Sequence, residues 1–584
     1  MGAHTEVNIP HSYLMSVASP GRYVGGEVNR IVKDNVLNDL RTKGYTDAVR
    51  VAFCFPDVYE IGMSNLAMQI LYKVLNEPEW CSCERSFSPW PDMDKIMREK
   101  DIPLYSLETK SPLNEFDIVC FSIGYEMAYT NVLQMLDLSK IPLKTEDRSD
   151  EDPIVVCGGP VAYNIEPMAP FFDVVFMGEG EEVDLEVAYE IKKYKDAGKK
   201  NRKELLIRLA QIPGVYVPSL YEDKYDESGK FLSLTPVMEG VPPVITKRII
   251  KDLDNVPFPT EPVVPNMTTV HNRAYIELFR GCIRGCRFCQ AGYIYRPVRE
   301  KSAQVLCDNG ISIEKSTGYD ELGLLSLSTS DYTELPKLTD GLLSAYEGHH
   351  TSLSLPSLRI DNFAMELMNK ISSTRKSGIT FAPEAGTQRL RDVINKGITE
   401  EDILKSVRMI FEGGWSTVKL YFMLGLPTET MEDVKGIADL AIKIEDLYYD
   451  IAREKDITLY PPAAKLFAAL YKALILSSTP MAIPTAVAFL LQFKMAQSSP
   501  KAAPVITSLL ISLILPRTAL LKTFSGIFPS FIALPVYCFF YAFNLYLFYH
   551  ATDVKKGTII AITKTIAMIA NMSFAFFVRR FIIM

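Results

Sequence analysis

Three cysteines, Cys282, Cys286 and Cys289, stand at the spacing CxxxCxxC within RGCIRGCRFCQAGYIYRPVRE. Soft thiolate sulfur ligates iron well, and the metal itself promotes loss of the thiol proton. Three donors in one short loop would hold a 4Fe-4S cubane with one iron lacking a protein ligand. A chelating substrate could bind that open iron and accept an electron from it. The competing readings are a structural zinc site or three ordinary thiols. Zinc normally takes four protein ligands, commonly as two separated pairs, and no second Cys or His pair follows nearby. Arg280, Arg284 and Arg287 place positive charge around the loop, where they would tune an anionic cluster or simply stand in solvent.

The elements that must carry this loop are legible as alternating patterns. From residue 274, AYIELF, LGLLSLS, TSLSLPSLR, GITFAPE and STVKLYFML read as strands separated by helical stretches. Five β/α units in order imply part of a barrel, whose chemistry sits in the loops after its strands, and the cysteine loop follows the first. Upstream, between 48 and 195, AVRVAFCF, DIVCFSIGY, PIVVCGG and DVVFMGEGEE alternate with the helical runs NLAMQILYKVL and NVLQMLDL. That is the pattern of a parallel, doubly wound sheet, which binds ligands at the carboxyl ends of its strands. Residues 213–272 are irregular and Pro-rich and read as a linker with small strands.

With Phe288 just before its last Cys, the cysteine loop resembles the signature of radical S-adenosylmethionine (SAM) enzymes. The resemblance implies that the open iron binds the amino and carboxylate groups of SAM. One-electron reduction then splits the sulfonium bond into methionine and a 5′-deoxyadenosyl radical, with a flavodoxin or ferredoxin as the expected electron donor. Ser328, Ser330 and Asp331 in SLSTSDY occupy the place after the second strand where the family contacts the amino group, although its usual Gly pair is missing. LPSLRID (355–361) and FAPEAGTQRLRDVINK (381–396) resemble the third and fourth strand-end motifs. Glu384 and Arg389 are the candidate polar contacts there; the alternative is a capped helix start with a surface Arg. Gly425 in LGLPTET would let the backbone approach the adenine.

A second resemblance lies further upstream. PDVYEIGMSN has the D-x-H-x-x-G spacing of cobalamin-binding domains, with Asp57 and Gly62 in place but Tyr59 where the axial His would stand. Gly124, Gly158, Gly159, Gly178 and Gly180 would let backbone approach the corrin and its nucleotide tail, although turns need glycine in any case. With GRYVGGEVN (21–29), these segments resemble an uncharacterised bacterial subfamily of cobalamin-binding radical SAM proteins, from residue 20 to about 450. The implied fold is α/β. An N-terminal extension (1–47) leads into a Rossmann-like cobalamin-binding domain (48–200), a linker (201–272) and a partial (β/α)6 radical SAM barrel (273–452). An apolar, helical tail (453–584) follows. The implied activity is reductive cleavage of SAM, with cobalamin assisting methyl transfer or another radical modification of an unidentified substrate. No catalytic side chain is singled out. The competing readings are a cofactor-binding product without turnover and a membrane-anchored iron–sulfur protein.

Composition bounds these expectations. A chain of 584 residues exceeds one ordinary core. A net charge of −8 without a basic stripe gives no nucleic-acid signature. Ten cysteines over this length are too sparse for a disulfide scaffold, and the N-terminus lacks a charged start before an apolar run, so a cytosolic body is expected. After Asp456, however, one acidic residue, Asp553, faces eleven Lys or Arg, a net +10 that leaves −18 to residues 1–456. Phe524–Ala551 has no Asp, Glu, Lys or Arg and exceeds the ~20 residues a membrane span takes. The tail is expected to be either a membrane anchor or frame-shifted or fused sequence. The second is favoured, because a barrel lacking its last strand leaves an unpaired edge.

Overall fold

Strand β1 (Val49–Phe55) is buried along its whole length, as a strand covered on both faces must be. In the computed structural model, which describes residues 6–355, 379–415 and 418–454, β2 (Cys81–Phe87) and β3 (Ile118–Ser122) flank it in parallel. Next come β4 (Ile154–Gly158) and β5 (Val174–Phe176), also parallel, and β6 (Val215–Tyr216), which is antiparallel. The order is β2-β1-β3-β4-β5-β6. The chain steps outward from β1 to β2, then crosses back to β3, so the crevice of this sheet lies outside the carboxyl ends of β1 and β3.

Apolar runs in the sequence mark β1, β3, β4 and β5. CSCERSF carries no such mark, because its charges break the pattern. They are buried: Glu84 pairs with Arg50 at 3.0 Å, and Arg85 lies between Glu27 (3.1 Å) and Glu108 (2.7 Å). The free edge of β2 is covered as well, since the Leu107 amide donates to the Arg85 carbonyl at 2.8 Å.

Helices α1 (Leu66–Asn76), α2 (Pro91–Glu99), α3 (Tyr129–Leu138), α4 (Gly180–Asp196) and α5 (Arg202–Leu209) accompany the sheet. The Asn65 side chain caps α1 by accepting from the Met68 amide at 3.1 Å. Met68, Tyr72 and Leu75 of this helix enter the core of the first sheet, whereas Ile70 and Val74 enter the next core. The sheet therefore extends past residue 200, through α5 to β6, before the hairpin β7 (Tyr221–Tyr225) and β8 (Phe231–Pro236). The Pro-rich segment beyond folds back onto the sheet domain, with Arg248 bridging Gly178 and Val264 bridging Val28.

The second half begins at β9 (Ala274–Glu277). Two short strands, β10 (Phe279–Arg280) and β11 (Arg299–Glu300), pair antiparallel, and β12 (Glu321–Leu325) and β13 (Ser352–Ser354) complete a parallel group in the order β13-β12-β9. Helices α6 (Ala303–Thr317) and α7 (Leu335–Ala345) pack on this group. A second parallel pair, β14 (Ile379–Glu384) with β15 (Val418–Phe422), carries α8 (Gln388–Val393), α9 (Glu400–Glu412) and α10 (Met431–Glu454). All five strands expected after residue 274 are present, in two parallel groups. Most of LPSLRID, and the apolar tail with both of its readings, lie outside the described residues. Among the described residues no helix is long and apolar enough to cross a membrane.

Candidate functional site

The cysteine loop rises from the β10–β11 stem, where Phe279 faces Glu300 and Arg280 faces Arg299. Its first residue, Gly281, has φ +94°, and a Cβ there would stand 2.8 Å from the Pro297 carbonyl. Only glycine makes that exit without strain. Cys282, Cys286 and Cys289 are half-exposed, whereas Cys54, Cys81, Cys83, Cys120 and Cys157 are buried. Burial pushes the Cys81 thiol up to about 12, so it stays protonated and inert. Within the loop, the Arg284 amide donates to Cys282 Sγ at 3.4 Å, and the Cys289 amide to the Cys286 carbonyl at 3.1 Å. Among the described residues no three His, Cys, Asp or Glu side chains lie close enough to hold a metal ion. The thiols thus share one accessible loop without being drawn onto a common centre. As a donor set, three accessible soft sulfurs fit an iron–sulfur cluster.

The three arginines of the loop are ties. Arg284 grips Asp331 with its fork, at 3.0 and 2.5 Å. Arg287 donates its amide to the Ile394 carbonyl at 2.9 Å and its guanidinium to the Val393 carbonyl. Arg280 bonds Glu277 at 3.0 and 2.9 Å and also Glu181. Burial works against its charge, yet Glu277 and Glu181 keep it firmly protonated. From the other side, Asn395 donates to the Gly285 carbonyl at 2.8 Å. The loop is fastened to the turn after β12, to the exit of α8 and to the first domain.

The residues expected near SAM fall into two groups. Ser328 is buried (3% exposed), and its Oγ has no hydrogen-bond partner among the described residues. Ser330 lies in the same turn, and Asp331 holds Arg284. Glu384 ends β14 with φ +67° beside a register irregularity and pairs with Lys396 at 3.2 Å. Non-glycine residues held in this backbone region gather at functional sites. Lys396 also lies 6.0 Å from the Phe288 ring centroid. Ser328, Asp331, Glu384 and the cysteines are thus linked through Arg284, Asn395 and Lys396. Arg389 is occupied elsewhere: it pairs with Asp433 and donates to the Thr428 carbonyl at 3.0 Å, fastening α8 to the start of α10. Gly425 has φ +83° and open space where a Cβ would be.

At the carboxyl edge of the first sheet the expected glycines divide. Gly62 would place a Cβ 2.4 Å from Phe87, Gly159 (φ +103°) 2.5 Å from the Ile123 carbonyl, and Gly178 (φ +115°) 2.2 Å from the Arg248 carbonyl. Gly180 would meet Asp184 at 2.9 Å. Protein packing accounts for these four. Gly124 is exposed with nothing around it, and Gly158 is half-exposed. Tyr59 lies in the core, 1% exposed, edge-on to Phe87, donating to Glu27 at 3.1 Å and accepting from the Asn266 amide at 3.1 Å. Its hydroxyl is thus engaged within the protein. Asp57 accepts from the Val58 amide at 2.7 Å and from the Tyr125 hydroxyl. Each loop after β1, β2, β3 and β4 exposes an apolar or aromatic side chain: Ile61, Trp90, Tyr125 with Met127, and Tyr163, from 36% at Ile61 to 86% at Met127. Burial and the bond to Asp57 push the Tyr125 phenol up to about 12.

Sequence reasoning missed Glu179, Glu181, Glu277, Arg299 and Asn395. The acidic run GEGEE was visible, but its partners lie about a hundred residues away, and no local pattern announces such pairs.

Residues 67–218 match the family model for radical SAM proteins, N-terminal, and residues 276–441 that for the radical SAM superfamily. The uncharacterized protein MJ0966 of Methanocaldococcus jannaschii is 29% identical over 401 residues, covering 68% of this chain and 74% of that protein. The ribosomal protein uS12 methylthiotransferase RimO of a Hydrogenobaculum species is 24% identical over 260 residues, 42% of this chain and 60% of that one. Among solved structures, the radical SAM methyltransferase TsrM from Kitasatospora setae shares 15% identity at a TM-score of 0.45, covering 68% of this chain and 72% of that one. The cobalamin-dependent radical enzyme OxsB shares 12% identity at a TM-score of 0.47, covering 84% and 76%. Two radical SAM models match in series, the second containing the half-exposed cysteine triad on its tethered loop, and the chain belongs to the radical SAM proteins.

Proposed function

We propose that this chain is an enzyme that uses a 4Fe-4S cluster on Cys282, Cys286 and Cys289 to cleave SAM reductively, with cobalamin bound at the carboxyl edge of the first sheet. The observation that carries the reading is the accessible three-thiol loop after the first strand of the radical SAM domain, while the five cysteines of the first sheet are sealed in its core. When bound, the cluster and SAM supply a one-electron reductant and a carbon radical for attack on an unactivated position. The chain's own part is to hold and orient. Ser328 Oγ, buried and without a partner among the described residues, is suited to bond a polar group of the ligand. Glu384, paired with Lys396, offers a carboxylate held in a strained backbone. Gly425 leaves room for a flat ring.

Support for cobalamin comes from Ile61, Trp90, Tyr125, Met127 and Tyr163, exposed on the loops that follow β1 to β4, and from the open space at Gly124 after β3. Apolar side chains exposed together around a crevice suit a large flat ligand. When bound, cobalamin supplies a methyl group or steers the substrate radical. Tyr59, buried with its hydroxyl bonded to Glu27 and the Asn266 amide, would not be the residue that holds cobalamin from the Asp57–Gly62 loop. A low-potential donor of the flavodoxin or ferredoxin type, in the cytosol, is the partner this chemistry requires.

Anaerobic reconstitution of the full chain is expected to load about four iron and four sulfide, and Cys286→Ala to lose them; a cluster retained in that variant overturns the reading. Incubated with hydroxocobalamin and desalted, the full chain is expected to carry corrin absorption that Trp90→Ala and Tyr125→Ala reduce. If no corrin co-elutes with the wild type, the cobalamin assignment fails while the cluster assignment stands.

A further inference from the structure

The run Gly178–Glu182 follows β5 of the first sheet, yet its carboxylates meet arginines from both strands of the cysteine-loop stem. Glu179 takes the two terminal nitrogens of Arg299 at 2.7 and 2.6 Å and the Ile250 amide at 2.5 Å. Glu181 takes Arg280, whose fork also holds Glu277. Arg280 and Arg299 face each other across the stem. None of the four side chains is more than 13% exposed. Charges so far from water stay in place only while paired. The run itself is fixed: the Arg248 backbone fills the space beside Gly178, and the Arg248 side chain holds Glu182 and Glu186 at 2.6 Å each.

We propose that Glu179 and Glu181 are positioning residues for the cysteine loop, clamping both strands of its stem so that the first domain sets the order and placement of Cys282, Cys286 and Cys289. The inference deepens the proposed function and rests on it only in naming what the loop holds. It also gives the GEGEE run a role other than cradling a cofactor tail.

The test uses the full chain with Glu179→Gln and Glu181→Gln, singly and together. Before any cluster is loaded, amide exchange over residues 281–298 is expected to quicken about tenfold in the double variant, with β1 to β5 unchanged, as expected of local opening. After reconstitution, the electron paramagnetic resonance spectrum of the reduced cluster is expected to shift, and Glu181→Asp, which keeps the carboxylate, to return it toward wild type. Unchanged exchange over 281–298 overturns the proposal, as does exchange that quickens equally throughout the first sheet. If the double variant does not fold, Arg299→Lys, which keeps the charge but loses the fork, carries the same exchange test. A wild type that takes up no cluster defeats the functional reading, yet the exchange comparison still decides the clamp.

Discussion

Asp184 on α4 has a buried carboxyl whose Oδ2 meets no hydrogen-bond donor among the described residues. Burial, reinforced by the nearby charge of Glu181, pushes its pKa well above the ordinary carboxylate value. The folded state therefore holds this proton more tightly than the unfolded chain does. The stability linked to it is fully present below about pH 4 and is lost as pH rises toward the folded pKa, at about 1.4 kcal/mol per pH unit. Asp184→Asn removes that slope. We expect the variant to gain on wild type in urea unfolding as pH rises from about 4, and a gap that does not change with pH would contradict the assignment. At this scale the cysteine triad was legible because its information is its spacing. The place of Tyr59 was not, since the phenol is turned inward by Glu27, thirty-two residues earlier. Nor could the spacing show that Asp331 is held by Arg284 and Arg389 by Asp433.

Among the elements, a close joint lies between the turn after β14 and α10. A Cβ on Gly386 would stand 2.1 Å from the Ile437 amide nitrogen, and one on Gly436 2.6 Å from Thr387. At Gly386 the obstacle is backbone, which cannot give way by changing a rotamer. Gly386→Ala is expected to cost at least about 1–3 kcal/mol, read as a lower thermal midpoint, and to loosen the Arg389–Asp433 pair that spans the same joint. A midpoint equal to wild type would show that the helix shifts freely. The five strands after residue 274 were legible from local pattern, as in β14, where the buried Ile379 and Phe381 alternate with half-exposed residues. β2 was hidden because its Glu84 and Arg85 find buried partners that local pattern does not reveal. The boundary at 200 fell short for a similar reason, since β6 is only two residues long and is a strand only by pairing with β5.

For the whole molecule, α1 decides how separable the parts are. One side of it fills the core of the first sheet, while Ile70 and Val74 are buried with Phe258, Ala274 and Leu322 of the following part. A fragment of residues 1–220 would expose those two side chains and strip Glu179 and Glu181 of their arginines. It is expected to melt below the full chain and to bind a hydrophobic dye, and Ile70→Ser with Val74→Ser should reduce the dye binding. A fragment as stable as the full chain would show that the shared core contributes little.

The sequence by itself determined the cysteine spacing, the alternation of apolar runs in both halves and the break in charge after Asp456, because each is written in neighbouring residues. Only the tertiary structure decided which glycines face open space, that Tyr59 lies in the core, and that the GEGEE run holds the stem of the cysteine loop. The pairs responsible, Glu181 with Arg280 and Glu179 with Arg299, lie 99 and 120 residues apart. The strength of such pairs comes from shared burial, which exists only once the sheets and helices between them have packed.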